Sequence, residues 1–125
     1  MMFYKNTGKL ESLIGMNSSF KGEIDSKWTL RVDGIIEGNI AVDRVVIGEK
    51  AQINGNISAR GVVVGGKVEG NIKAKEIVEI KDKGQVLGEI STPLLSIAEG
   101  AIFDGRSIIL PKNETRIWYP QKSLN

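Results

Sequence analysis

Ile36-Glu37-Gly38-Asn39-Ile40, Ile53-Asn54-Gly55-Asn56-Ile57 and Val68-Glu69-Gly70-Asn71-Ile72 are three copies of one five-residue phrase in a chain of 125 residues. Its glycine recurs beyond them at Gly22, Gly88 and Gly105, and successive glycines are 16, 17, 15, 18 and 17 residues apart. That period is too short for two helices. It fits one coil of a β-solenoid, in which each unit buries its apolar face only against its neighbours.

Two residues before each glycine stand Phe20, Ile36, Ile53, Val68, Val86 and Phe103; two residues after it stand Ile24, Ile40, Ile57, Ile72, Ile90 and Ser107. Alternation at period 2 points both positions inward, with the glycine at a corner that leaves no room for a side chain. A second apolar pair recurs as Leu30/Val32, Val45/Ile47, Val62/Val64, Val78/Ile80 and Leu95/Ile97. A third short segment, passing through Ala51 or Ala101, closes the coil. Three strands per coil predict a three-sided parallel β-helix of about six coils, a rod roughly 30 Å long at ~4.8 Å per coil. Glu37 and Glu69 face outward, and Asn39, Asn56 and Asn71 are placed to stack as a ladder.

Composition sets the class. Hydrophobic residues are 41% and aromatics 6%, so a single domain with an aliphatic core is expected. Neither Cys nor His occurs, which removes disulfides, thiolate nucleophiles, imidazole acid–base chemistry and most zinc sites, and suits a reducing cytoplasm. No apolar run approaches the roughly 18 residues of a membrane span, and the first 17 residues lack the apolar centre of a secretory signal. Residues 1–17 sum to +1, residues 18–105 to −2 and residues 106–125 to +3. Three net charges on a tail point to ordinary solubility and not to nucleic acid.

The predicted organisation is a flexible leader over 1–17, the β-helix over 18–110 and a tail over 111–125. The inward slot is aliphatic in the middle coils and becomes Phe at both ends, Phe20 and Phe103. Either aromatic plugs its end, or the pair, with open strand edges, forms an end-to-end interface with further copies. In the leader, Met2, Phe3 and Tyr4 are followed by Lys5. They either fold back onto the first coil or touch an anionic bilayer, where one Phe is worth about 1.5–3 kcal/mol and one Lys about 1 kcal/mol. Many copies on one polymer would hold firmly. The tail cluster Ile117-Trp118-Tyr119-Pro120 either packs on the rod or binds a partner.

Two apparent catalytic patterns fail. Gly61-Val62-Val63-Val64-Gly65-Gly66-Lys67 has phosphate-loop spacing, but Val68 stands where Ser or Thr would hold Mg²⁺, and a strand phrase follows instead of a helix. Glu37 and Glu69, about 10 Å apart on one outward column, imitate a glycosidase pair without a cleft. No enzyme activity, cofactor, metal or nucleotide is expected.

The repeated phrase, the intervening Val-Val-Ile-Gly strand, the entry Glu11-Ser12-Leu13-Ile14-Gly15 with Ser18-Ser19-Phe20-Lys21-Gly22-Glu23-Ile24, and the exit Glu99-Gly100-Ala101-Ile102-Phe103-Asp104-Gly105 together resemble the bactofilins over about residues 11–107. The resemblance implies a right-handed β-helix that polymerises end to end, without nucleotide, into non-polar cytoskeletal filaments. Phe103 matches the family's aromatic important for polymerisation, and Met2-Phe3-Tyr4-Lys5 is similar to its membrane-targeting motif, with Met1 as an extra residue. The implied location is the inner face of the cytoplasmic membrane, and the implied partners are further copies and cell-wall or morphogenesis proteins. Family tails are rich in proline; Trp118 and Tyr119 depart from that pattern. The alternative reading is a β-solenoid that does not polymerise and presents its faces or tail to a protein or glycan.

Overall fold

In the computed structural model, residues 2–3 and 10–111 are described, with side chains from Ile14 onward. Strand β1 (Met2–Phe3) precedes a first coil of β2 (Leu10–Ile14), β3 (Ser19–Lys21) and β4 (Ile24–Asp25). The second coil is β5 (Thr29–Val32), β6 (Ile35–Glu37) and β7 (Ile40–Ala41); the third is β8 (Arg44–Ile47), β9 (Gln52–Asn54) and the first half of β10 (Ile57–Val64). The rest of β10 continues into β11 (Lys67–Glu69) and the first half of β12 (Ile72–Ile80). The rest of β12 leads to β13 (Gln85–Leu87) and β14 (Ile90–Thr92), and β15 (Leu95–Ile97), β16 (Ile102–Asp104) and β17 (Ser107–Ile109) complete the last coil. There is no helix among the described residues.

Three faces result. The first is a six-stranded sheet in the order β3-β6-β9-β11-β13-β16. The second, rising from β4 to β17, and the third, rising from β2 to β15, merge into one eleven-stranded sheet because β10 and β12 run round the corner between them. A register shift between Ala59 and Gly61 marks that bend. Every pairing between coils is parallel.

The register reproduces the columns expected from alternation. Phe20, Ile36, Ile53, Val68, Val86 and Phe103 stand one above another, as do Ile24, Ile40, Ile57, Ile72, Ile90 and Ser107. On the third face Leu30 and Val32 head the columns that climb to Leu95 and Ile97. From the second coil to the fifth these aliphatics are essentially sealed from solvent. Each is worth about 1.5–3 kcal/mol on full burial.

The first coil starts earlier than the sequence boundary at residue 17. Strand β2 pairs in parallel with β5 through Leu10↔Thr29 and Ile14↔Val32, inside the stretch assigned to the leader. A register shift between Leu10 and Ser12 interrupts its alternation, and Ser12 occupies the column of Leu30, so the apolar pattern is absent there. Tyr4, Lys5 and the Ile117-Trp118-Tyr119-Pro120 cluster lie outside the described residues.

Between the first and second faces the repeat glycines adopt φ from +138° to +156°. A Cβ on Gly38, Gly55, Gly70, Gly88 or Gly105 would run into the carbonyl oxygen of the glycine one coil below. Beside them the asparagine ladder differs from stacked side chains. Asn39 Oδ1 accepts from the Asn56 N–H at 2.9 Å, Asn56 Oδ1 from the Asn71 N–H at 3.0 Å, and Asn71 Oδ1 from the Glu89 N–H at 3.0 Å. Each amide thus satisfies a corner donor of the next coil, because the carbonyls there are already engaged by neighbouring N–H groups, as in Ile57 N to Asn71 O at 2.9 Å.

Gly55→Ala should lower stability by about 2–5 kcal/mol, combining left-handed strain with overpacking. Gly22→Ala meets only the Phe20 ring, 3.7 Å away, and should cost about 1–2 kcal/mol, the strain alone. Guanidinium denaturation followed by far-UV circular dichroism orders the two; equal losses would contradict the role given to the coil beneath.

Candidate functional site

The two rod ends are where the columns stop, and they stop differently. At the upper end Ile97 stands above Ile80, and Ile109 above Thr92. Ile80 and Thr92 are 0% exposed, whereas Ile97 is 46% and Ile109 58% exposed. These are core positions opened only because no further coil follows among the described residues. Leu94, Ile102 and Ile108 are also exposed near this end, Ile102 and Ile108 at outward positions above Gln85 and Ser91, and Phe103 lies half-buried on the core. Uncovered core positions beside open strand edges are the kind of surface on which another chain can dock.

The lower end is more closed. Ile14, at the opposite end of the column from Ile97, is 4% exposed, and Ile24 is 9% exposed. Phe20 is half-buried against the core, and Met16 is exposed at the turn before β3. The lower edge of β2 is taken by β1 in an antiparallel pair, Met2↔Leu13 and Phe3↔Ser12. Phe20 and Phe103 therefore sit at opposite ends of one column, with Ile36, Ile53, Val68 and Val86 between them. Within one copy they cannot meet; a contact involving both ends needs a second copy.

Beyond Phe103, the exposed apolar residues of the upper end do not stand out in the repeat pattern. Ile108-Ile109 carried the signal, since a strand continuing past Gly105 without another repeat must leave inward residues uncovered. The side faces carry a different kind of surface. At the corner between the second and third faces, Arg60 makes two 2.9 Å bonds to Asp43 and reaches Glu76 at 3.3 Å, while Arg44 reaches Glu76 at 3.2 Å. Gly61 has no Cβ to obstruct the Arg44 guanidinium on that path. The Arg60 hydrogen bonds hold the Asp43 carboxyl below the usual carboxylate range. Exposed pairs of this kind contribute about 0–1 kcal/mol each.

A shallow groove of about 550 Å³ follows the asparagine ladder between Glu23 and Glu89. Glu37 and Glu69 do share one outward column, but each faces a lysine, Lys21 at 3.6 Å and Lys67 at 3.1 Å. Gly61 to Val64 lies in β10 and Lys67 in β11, so the phosphate-loop spacing falls on a strand, a turn and a strand.

The bactofilin family profile, described as polymer-forming cytoskeletal, matches residues 12–108. Bactofilin BacO of Myxococcus xanthus is 30% identical over 102 residues, covering 81% of this chain and 81% of BacO. Bactofilin BacP of the same organism is 32% identical over 96 residues, covering 76% of this chain; the match spans 40% of BacP. The cryo-EM reconstruction of Thermus thermophilus bactofilin double helical filaments is similar at a TM-score of 0.75 and 25% identity, covering 79% of this chain and 99% of that one.

The double substitution Ile97→Asp with Ile109→Asp should leave the β-rich spectrum and melting temperature nearly unchanged, since both side chains are already exposed. In sedimentation velocity it should limit assembly to dimers or smaller. Long polymers from this variant would move the interface away from the upper end.

Proposed function

The chain belongs to the bactofilin family, and on that premise we propose that its copies join end to end, without nucleotide, into non-polar filaments at the inner face of the cytoplasmic membrane. The observation that carries this reading is the upper end, where among the described residues inward columns and strand edges are left uncovered, a surface that a second copy's like end can meet. Joining like ends about a two-fold axis makes each interface isologous and gives the polymer no direction. Phe103 at the upper joint and Phe20 at the lower are the residues assigned to these interfaces. No step in this docking calls for hydrolysis, because burial of apolar surface and pairing of backbone groups supply the association energy.

Met2, Phe3, Tyr4 and Lys5 are assigned to membrane contact on their chemistry: apolar and aromatic side chains followed by a cation. One copy binds weakly, and a filament that repeats the segment gains avidity. The flat faces of the assembled rod, and the segment around Trp118 and Tyr119, are the surfaces assigned to recruitment of cell-wall or morphogenesis proteins.

Phe103→Arg should keep the β-rich spectrum and abolish pelleting and filaments seen by electron microscopy. Filaments of normal length from it would remove Phe103 from the joint. Deleting residues 1–5 should release the protein from anionic liposomes while filaments persist; unchanged co-sedimentation would place membrane contact elsewhere.

A further inference from the structure

One strand pairing breaks the rule that governs all the others. The coils stack in parallel, yet β1 runs antiparallel to β2, with Met2 opposite Leu13 and Phe3 opposite Ser12. Strand β2 is the lowest strand of the third face, so β1 occupies the row of backbone groups that would otherwise form that edge of the lower end. The end it occupies is also the shut one: in a single column, Ile14 is 4% exposed at the bottom and Ile97 46% exposed at the top.

The antiparallel sense matters for what β1 displaces. Two copies meeting lower end to lower end about a two-fold axis bring the same strand against itself in opposite directions, so the incoming β2 would lie antiparallel on the resident β2. Strand β1 already makes that kind of pair. It imitates the neighbour and holds its place, and both cannot use the edge at once.

We propose that Met2–Phe3 is an intramolecular cap on the lower end, and that it must leave β2 before a second copy joins there. This rests on the end-to-end reading. The cap is a clasp of two residues, short enough for a competitor to displace. Met2 and Phe3 are also assigned to the bilayer, and a residue held by lipid is unavailable to β2. Membrane contact then uncaps the lower end, and filament growth is favoured at the membrane over the bulk phase.

The chain has no cysteine, so a Phe3→Cys, Ser12→Cys double variant reports on this pair alone. Under mild oxidant the full-length variant should form an intramolecular disulfide and stop at dimers joined by their upper ends, with at least a tenfold higher threshold concentration for pelleting. Reduction should restore filaments. Failure of the disulfide to form, or equal growth of the oxidised and reduced protein, would overturn the cap; absence of filaments from reduced and unsubstituted protein even on phosphatidylglycerol vesicles, and from the chain lacking residues 2–9, would instead sink the end-to-end reading. A second variant lacking residues 2–9 should polymerise at a lower threshold than the intact chain without lipid. Phosphatidylglycerol vesicles should lower the intact chain's threshold to the same level. An unchanged threshold on deletion overturns the cap, and an effect of deletion without an effect of vesicles overturns its coupling to the membrane.

Discussion

Parallel backbone bonding at a constant step holds each coil over the last, and it forces every side chain to stand against its counterpart above and below. Once that register is set, a core position needs a residue that packs against another of its kind. Aliphatic side chains do this along four inward columns. The corner glycines follow from the same constraint, since the carbonyl of one coil fills the space a Cβ would take in the next. The asparagine ladder exists because the carbonyls at the corner are already engaged, which leaves one N–H per coil for a side chain to accept from.

What repeats was legible in the sequence, because a repeated contact writes a repeated residue. The Phe20-to-Phe103 column, the corner glycines and the three strands per coil all came from spacing alone. What happens once was harder to read. Strand β2 was hidden by its irregular register at Leu10 and by Ser12 in an otherwise leucine and valine column. The antiparallel pairing of Met2–Phe3 has no periodic signature, since two residues cannot establish a period. The exposure of Ile97 and Ile109 depends on where the stack stops and not on either residue's neighbours in sequence. The path of Arg44 across Gly61 to Glu76 joins positions 32 residues apart, and only the register brings them together.

The same geometry separates two kinds of surface. Faces between the ends present charged and polar side chains, many in pairs such as Lys81 with Glu79 at 3.0 Å. Such pairs add little stability but keep the sides of the rod from joining other sides indiscriminately. The ends cannot be protected in that way without spoiling the core columns they terminate. The proposed end-to-end joining uses this contrast between the two surfaces.

The asparagine ladder gives way at its top. Above Asn71 the position is held by Glu89, and the tie to the last coil becomes a 2.9 Å ion pair with Arg106, whose side chain is 74% exposed. Neutral amide bonds fasten the middle of the rod, while its final turn is fastened in part by charge. Rising ionic strength screens the latter and spares the former. Salt therefore reaches one side-chain tie of the last coil, while the backbone bonds from Gly88 and Ile90 to that coil and the amide ties below it are left intact.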